Sequence, residues 1–189
     1  LSDDGKLVIS GTGSIADDAF AGNTKITSVV ISEGVTGIGS RAFTGCTNLT
    51  SVTIPEGVTV IDGMTFGNCT SLTSVTIPGT VTSIEVQAFW NCSSLTSITI
   101  PASVTSIGSG VFQGCTSLTS VKLSEGLTRI GDQTFGRCNA LETIEIPASL
   151  TSIGNDAFKN CAKLRSIRCY ANSSTWQPRY ICDSNTTVY

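Results

Sequence analysis

The chain has no histidine in its 189 residues. Imidazole is the usual activator of serine and cysteine nucleophiles, a frequent metal ligand and the side chain that titrates near neutrality. Its absence removes all three routes to chemistry together. Charge is scarce as well: 13% of residues are charged and the formal net charge is −3. That composition argues against nucleic acid or an anionic membrane surface as a partner. No apolar run approaches the roughly 18–20 residues of a membrane span, so membrane insertion is not expected. No two cysteines stand at the close C-x₂₋₄-C spacing of a zinc site, and no phosphate-cradling glycine loop occurs. The adjacent acidic pairs, Asp3-Asp4 and Asp17-Asp18, lack a catalytic partner or metal-loop spacing and read as solvated surface. An enzyme is not expected, and no cofactor is implied.

What the chain does contain is a period. Its seven phenylalanines are Phe20, Phe43, Phe66, Phe89, Phe112, Phe135 and Phe158, each 23 residues after the last. A fixed period of this length marks a stack of one small unit, and it outranks any local motif. Three residues after Phe comes Asn23, then Cys46, Cys69, Cys92, Cys115, Cys138 and Cys161. Six after comes Ile26 and then leucine from Leu49 to Leu164; nine after is Val or Ile, from Val29 to Ile167. Eleven after runs Ile31, Ile54, Ile77, Ile100, Leu123 and Ile146, ending in Cys169. A second pair of columns begins at Val35 and Ile38 and ends at Leu150 and Ile153.

Segments such as Thr73-Ser74-Val75-Thr76-Ile77 alternate small polar with β-branched residues and predict a half-buried strand. Pro55, Pro78, Pro101 and Pro147 end that strand, because proline cannot donate to a ladder. The Val-Thr-x-Ile segment predicts a second short strand. The step before Ala-Phe, as in Gly39-Ser40-Arg41, predicts one tight helical or 3₁₀ turn. No such unit can bury its own apolar face, so stacking supplies the core. Seven coils at strand spacing, about 4.8 Å, make a rod roughly 35 Å long.

The unit F-x-x-C-x-x-L-x-x-V/I-x-I-P-x-x-V-T-x-I-G-x-x-A, held from about residue 8 to 169, resembles the BspA-like (Treponema pallidum-type) leucine-rich repeat. The opening Leu7-Val8-Ile9-Ser10-Gly11-Thr12-Gly13 also resembles the start of such arrays. The resemblance implies a repeat solenoid: a right-handed superhelix of short parallel β-strands with short helical turns, about seven 23-residue coils plus caps. One domain over residues 1–189 is expected, with residues 1–19 as N-terminal cap, 20–169 as regular repeats and 170–189 as a degenerate final coil. In that last stretch Trp176 and Ile181 keep the period and Thr187-Val188-Tyr189 looks like a strand. The resemblance further implies a non-enzymatic, extracellular or cell-surface module that binds a protein or glycan ligand, such as a host matrix or cell-surface molecule. Leu1 rather than Met opens the sequence, as in a processed secreted protein or an excised fragment.

The six periodic cysteines read as buried small residues donating weakly to a neighbouring coil. Cys169 and Cys182 lie outside that column and could close a disulfide across the cap if the protein is extracellular.

Differences between coils concentrate on the outward strand positions. One row runs Val30, Thr53, Thr76, Thr99, Lys122, Glu145 and Arg168; its neighbour runs through threonines to Thr119, then Glu142 and Arg165. The late, charged end reads either as cross-strand ion pairs on a solvated sheet or as a binding patch. A further row, Thr36, Thr59, Thr82, Thr105, Thr128 and Thr151, has the regularity of an ice-binding surface, although threonine suits any β-surface. Trp90 stands where sibling coils carry Thr44, Gly67 or Gly136, and reads as a contact anchor or as packing across a turn. Asn48, Asn68, Asn91, Asn172 and Asn185 are glycosylation sequons only for a eukaryotic secretory pathway. A second expectation stands beside the binding module: a spacer array whose strand edges permit end-to-end self-association.

Overall fold

The structure is a computed structural model that describes residues 1–170, 182 and 186–188. Trp176, Ile181, Asn172, Asn185 and Tyr189 lie outside the described residues.

Among the described residues sixteen short strands, numbered in chain order, line up as two parallel ladders, each with breaks in its pairing. The longer ladder holds β1 (Lys6–Ile9), β3 (Ser28–Ile31), β5 (Ser51–Thr53), β7 (Ser74–Thr76), β9 (Ser97–Ile100), β11 (Ser120–Leu123), β13 (Thr143–Ile146), β15 (Ser166–Cys169) and β16 (Thr187–Val188). The other holds β2 (Gly13–Ile15), β4 (Val35–Ile38), β6 (Val60–Ile61), β8 (Ser83–Ile84), β10 (Ser106–Ile107), β12 (Arg129–Ile130) and β14 (Ser152–Ile153). The register is the sequence period: Val29 faces Val52, Val52 faces Val75, and Ile84 faces Ile107. The chain is therefore a parallel β-solenoid of about seven coils. At its end Ser166 faces Thr187, so the last turn of chain is two residues short of the period.

Proline sits as expected. The carbonyls of Pro55, Pro78, Pro101 and Pro147 each accept from the amide three residues on, making the turn between the ladders. The Phe, Cys and Leu columns are fully buried from the second coil through Leu141, and nearly so in the coil of Phe158. Adjacent phenylalanine rings stack with centroids 5.2–5.6 Å apart along the whole column. Replacing one interior ring by alanine would cost about 3–5 kcal/mol and unsupport two neighbours.

The helical turn expected before each phenylalanine is not there; the described residues contain no helix. Left-handed residues replace it, two before and two after each Phe. The first column is Asp18, Arg41, Met64, Gln87, Gly110, Gln133 and Asp156; the second is Gly22, Gly45, Asn68, Asn91, Gly114, Arg137 and Asn160. A helix cannot pass through residues at φ near +60°. Alternating hand instead turns successive amides in opposite senses. Ala42, Thr44 and Cys46 donate within their coil to Gly39, Arg41 and Phe43, while Arg41, Phe43 and Gly45 donate onward to Gly63, Thr65 and Gly67. Every amide of the turn is thereby satisfied, with three bonds per coil aimed at the C-terminal neighbour.

Candidate functional site

The outward strand positions lie where the period predicts. Thr53, Thr76, Thr99, Lys122, Glu145 and Arg168 are all exposed along one row, and Glu142 and Arg165 along the next. The row begins apolar, with Val8 facing Val30 and both exposed.

A threonine clamp holds the early coils of this face together. The backbone amide of Thr50, and also its hydroxyl, donates to the Thr27 carbonyl, each at 2.8 Å. Thr73, Thr96 and Thr119 repeat this double donation onto Thr50, Thr73 and Thr96. In the next coil the position is Glu142, which has no hydroxyl to donate. Neither the Glu142 nor the Thr143 amide bonds the Thr119 carbonyl, and β11 and β13 share no ladder pairing. A seam lies here, a cleft of about 340 Å³ walled by Lys122 on one side and Glu145 on the other. The ladder also breaks between β7 and β9, where the threonine clamp is intact, so the clamp alone does not set the pairing. Beyond it the backbone ladder resumes, with the Arg165 amide on the Glu142 carbonyl at 2.9 Å.

The expected run of cross-strand ion pairs is present at one step only. Arg168 Nη1 lies 3.6 Å from Glu145 Oε1, both side chains more than 60% exposed. Among the described residues Lys122, Glu142 and Arg165 form no ion pair. These three charges are held on a sheet and left for solvent or a partner. Tyr170, exposed and lining a recess with Arg168 and Cys169, extends the patch. It escaped the sequence reading because it falls just past the last regular strand.

The other candidates have structural partners. Each thiol of the cysteine column donates to the phenylalanine carbonyl of the preceding coil, at 3.0–3.3 Å. Burial pushes the thiols of Cys46, Cys69, Cys92, Cys115 and Cys138 above their ordinary range, Cys115 to about 12, so they are poor nucleophiles. Cys169 is a half-buried free thiol whose pKa is raised by burial and by the nearby Cys182. On the second ladder the hydroxyls of Thr82, Thr105, Thr128 and Thr151 donate to the preceding threonine carbonyl, which accounts for that row without a ligand. Asp17 and Asp18, read as solvated, are exposed but engaged: Asp17 accepts from the Ser40 amide, and Asp18 takes two bonds from Arg41. The Arg41 guanidinium holds the Asp18 carboxyl below the usual carboxylate range. Among the described residues no cluster of three metal-ligating side chains occurs, and no helix is long and apolar enough to cross a membrane.

A stack of 23-residue coils with a leucine-bearing turn, an exposed strand face and a filled interior is a leucine-rich-repeat solenoid. More narrowly, the model of the BspA type leucine rich repeat region, in six copies, matches residues 13–140 and 82–187, and the chain belongs to that family. Among solved structures it is similar to a leucine rich cell surface protein from Faecalibacterium prausnitzii, at 35% identity and a TM-score of 0.82. That match covers 91% of this chain but 49% of the other, so the chain spans about half the length of that relative. It is also similar to a T. pallidum leucine rich repeat protein, at 29% identity and a TM-score of 0.79, covering 86% of this chain and 79% of that one. A leucine-rich repeat protein from Eubacterium ventriosum matches at 27% identity and a TM-score of 0.55, over 100% of this chain and 74% of the other. No curated protein matches the chain.

Proposed function

We propose that the chain is a non-enzymatic binding module, displayed on a cell surface or secreted, that engages a protein through the strand face of its last three regular coils. The observation that carries this reading is the coincidence of seam and charge. A cleft lies between β11 and β13, walled by Lys122 and Glu145, and among the described residues Lys122, Glu142 and Arg165 on the same face form no ion pair. Charges fixed on a rigid face set partner choice and encounter rate. The Faecalibacterium relative is described as a cell surface protein, which supports display outside the cell. Adhesion to a matrix or cell-surface protein is the form of binding we favour.

The test is a plate-binding screen against purified matrix and cell-surface proteins, followed by Glu145→Lys combined with Arg168→Glu. Binding should fall by at least about tenfold, or about 1.4 kcal/mol. Unchanged affinity would place the contact elsewhere. A self-assembling array is a second reading, favoured by β1, the terminal strand of its ladder, with Val8 57% exposed beside it. Light scattering against concentration separates the two, because growth into rods without any ligand supports assembly over adhesion.

A further inference from the structure

We infer that the turn face, remote from the strand face, carries a carbohydrate-binding groove centred on Trp90. The groove encloses about 730 Å³ and runs across four coils, with Gln87, Trp90, Asn91, Gln113, Arg137 and Asn139 along its walls. At strand spacing, four coils span about 15 Å, long enough for a few linked pyranose rings.

Its origin lies in the left-handed column that follows each phenylalanine. Asn68 and Asn91 occupy this column in succession, and Asn91 Nδ2 donates to Asn68 Oδ1 at 2.7 Å. The amide ladder ends at Gly114, which has no side chain to receive the next rung. A β-carbon placed on Gly114 would lie 3.4 Å from Asn91 Oδ1, so that oxygen faces the space the glycine leaves empty. Trp90 and Arg137 complete the walls. Trp90 is half-buried and presents an indole where sibling coils have Thr44, Gly67 and Gly136. Arg137 is exposed and forms no ion pair among the described residues, Asp156 lining a smaller recess beside it with Lys159.

The chemistry of these walls selects the ligand class. Side-chain amides both donate and accept, which matches a sugar hydroxyl that does the same. An indole offers an apolar plate with a polar edge, suited to the C–H face of a pyranose ring. A peptide anchor would need a dry pocket ringed by apolar contacts, and Trp90 instead stands among amides. Arg137 adds a donor fork that serves ring hydroxyls or a uronic carboxylate.

The experiment titrates the whole chain with defined hexasaccharides, cellohexaose, xylohexaose, maltohexaose, chitohexaose and hexagalacturonate, followed by tryptophan emission and calorimetry. Three variants accompany the native chain. Trp90→Thr installs the residue of a sibling coil, Gly114→Asn continues the amide ladder into the gap at a φ asparagine already adopts here, and Glu145→Lys alters only the strand face. At least one hexasaccharide should bind saturably. Trp90→Thr and Gly114→Asn should each weaken it by about tenfold or more while melting temperature stays close to native, and Glu145→Lys should leave it unchanged. Failure of all five sugars to bind at millimolar concentration overturns the inference. So does binding that survives both groove variants. Neither result bears on the protein partner of the strand face, whose test reads protein binding rather than sugar binding.

Discussion

The Cys92 thiol donates to the Phe66 carbonyl oxygen, 3.2 Å away in the preceding coil. The bond explains why a reactive residue recurs in the core. Only a short side chain with a donor fits between the phenylalanine turn and its neighbour, and sulfur does so at little desolvation cost. Asn23 holds the same place in the first coil, where it is half-buried and turns its Oδ1 to the Lys25 amide instead.

This arrangement predicts alkaline instability. Burial raises the Cys115 pKa from 9.0 to about 12, and it moves Cys69, Cys92 and Cys138 upward too. Below pH 9 the thiols are protonated whether the chain is folded or not, and their contribution is complete. As pH rises above 9 the unfolded chain loses protons that the folded chain keeps, and stability falls by about 1.4 kcal/mol per pH unit for each such thiol. The urea midpoint should therefore drop between pH 8 and about pH 10.5, and Cys115→Ala should flatten that dependence. Equal slopes in the variant and the native chain would remove the thiols as its cause.

The turn face yields a second prediction. Gln133 sits at φ 54, a conformation that costs an L-residue about 1–2 kcal/mol, while the equivalent Gly110 sits there freely. Gln133→Gly gives up an exposed bond from Gln113 but relieves that strain. It should raise stability by about 0.5–1 kcal/mol, and Gln133→Val should lower it by more. Denaturant midpoints of the two variants decide the point. Destabilisation by glycine would mean that the side-chain bond outweighs the backbone strain.

Much of this was legible in the sequence because the core repeats one set of side chains in one register, and burial selects residue type strongly. Phe, Cys and Leu columns need no coordinates to be seen. The left-handed turn was less legible, since Arg41, Met64, Gln87, Gln133 and Arg137 are not residues that announce a positive φ, whereas Gly22, Gly45, Gly110, Gly114 and the asparagines Asn68, Asn91 and Asn160 are. The Asp18–Arg41 pair could have been found by comparing charges down a column, as both precede their phenylalanine by two. The Thr119-to-Glu142 change was visible as a charge, but its effect on the ladder depends on knowing that the threonine hydroxyls hold the backbone. The groove at Trp90 was half visible: the tryptophan stood out, whereas the space beside it depends on the side chain that Gly114 lacks.

Cys169 and Cys182 bear on the compartment. Each is half-buried, and the Cys169 thiol is shifted upward by burial and by Cys182. Air oxidation of the purified chain should give a species two hydrogens lighter, with these two cysteines in one cross-linked peptide and the six column thiols reduced. A bridge closing a loop of this length would add about 2–3 kcal/mol. If mass spectrometry finds the oxidised bond elsewhere, or finds none under an oxidising glutathione buffer, the cap is not stapled.

Glu142 ties stability to the proposed contact. Restoring threonine there would return both donors to the Thr119 carbonyl, as Thr119 itself supplies them to Thr96 at 2.9 and 3.1 Å. Two recovered hydrogen bonds on an exposed edge are worth about 1 kcal/mol together. Glu142→Thr should therefore raise the urea midpoint and slow hydrogen exchange at the amides of residues 142 and 143. It also removes a charge from the proposed contact. A more stable chain with weaker partner binding is the expected pair of results, and it fits a residue kept at the expense of the ladder. A gain in stability with full binding would show that the seam is incidental, and no change in either would show that the clamp contributes nothing at this step.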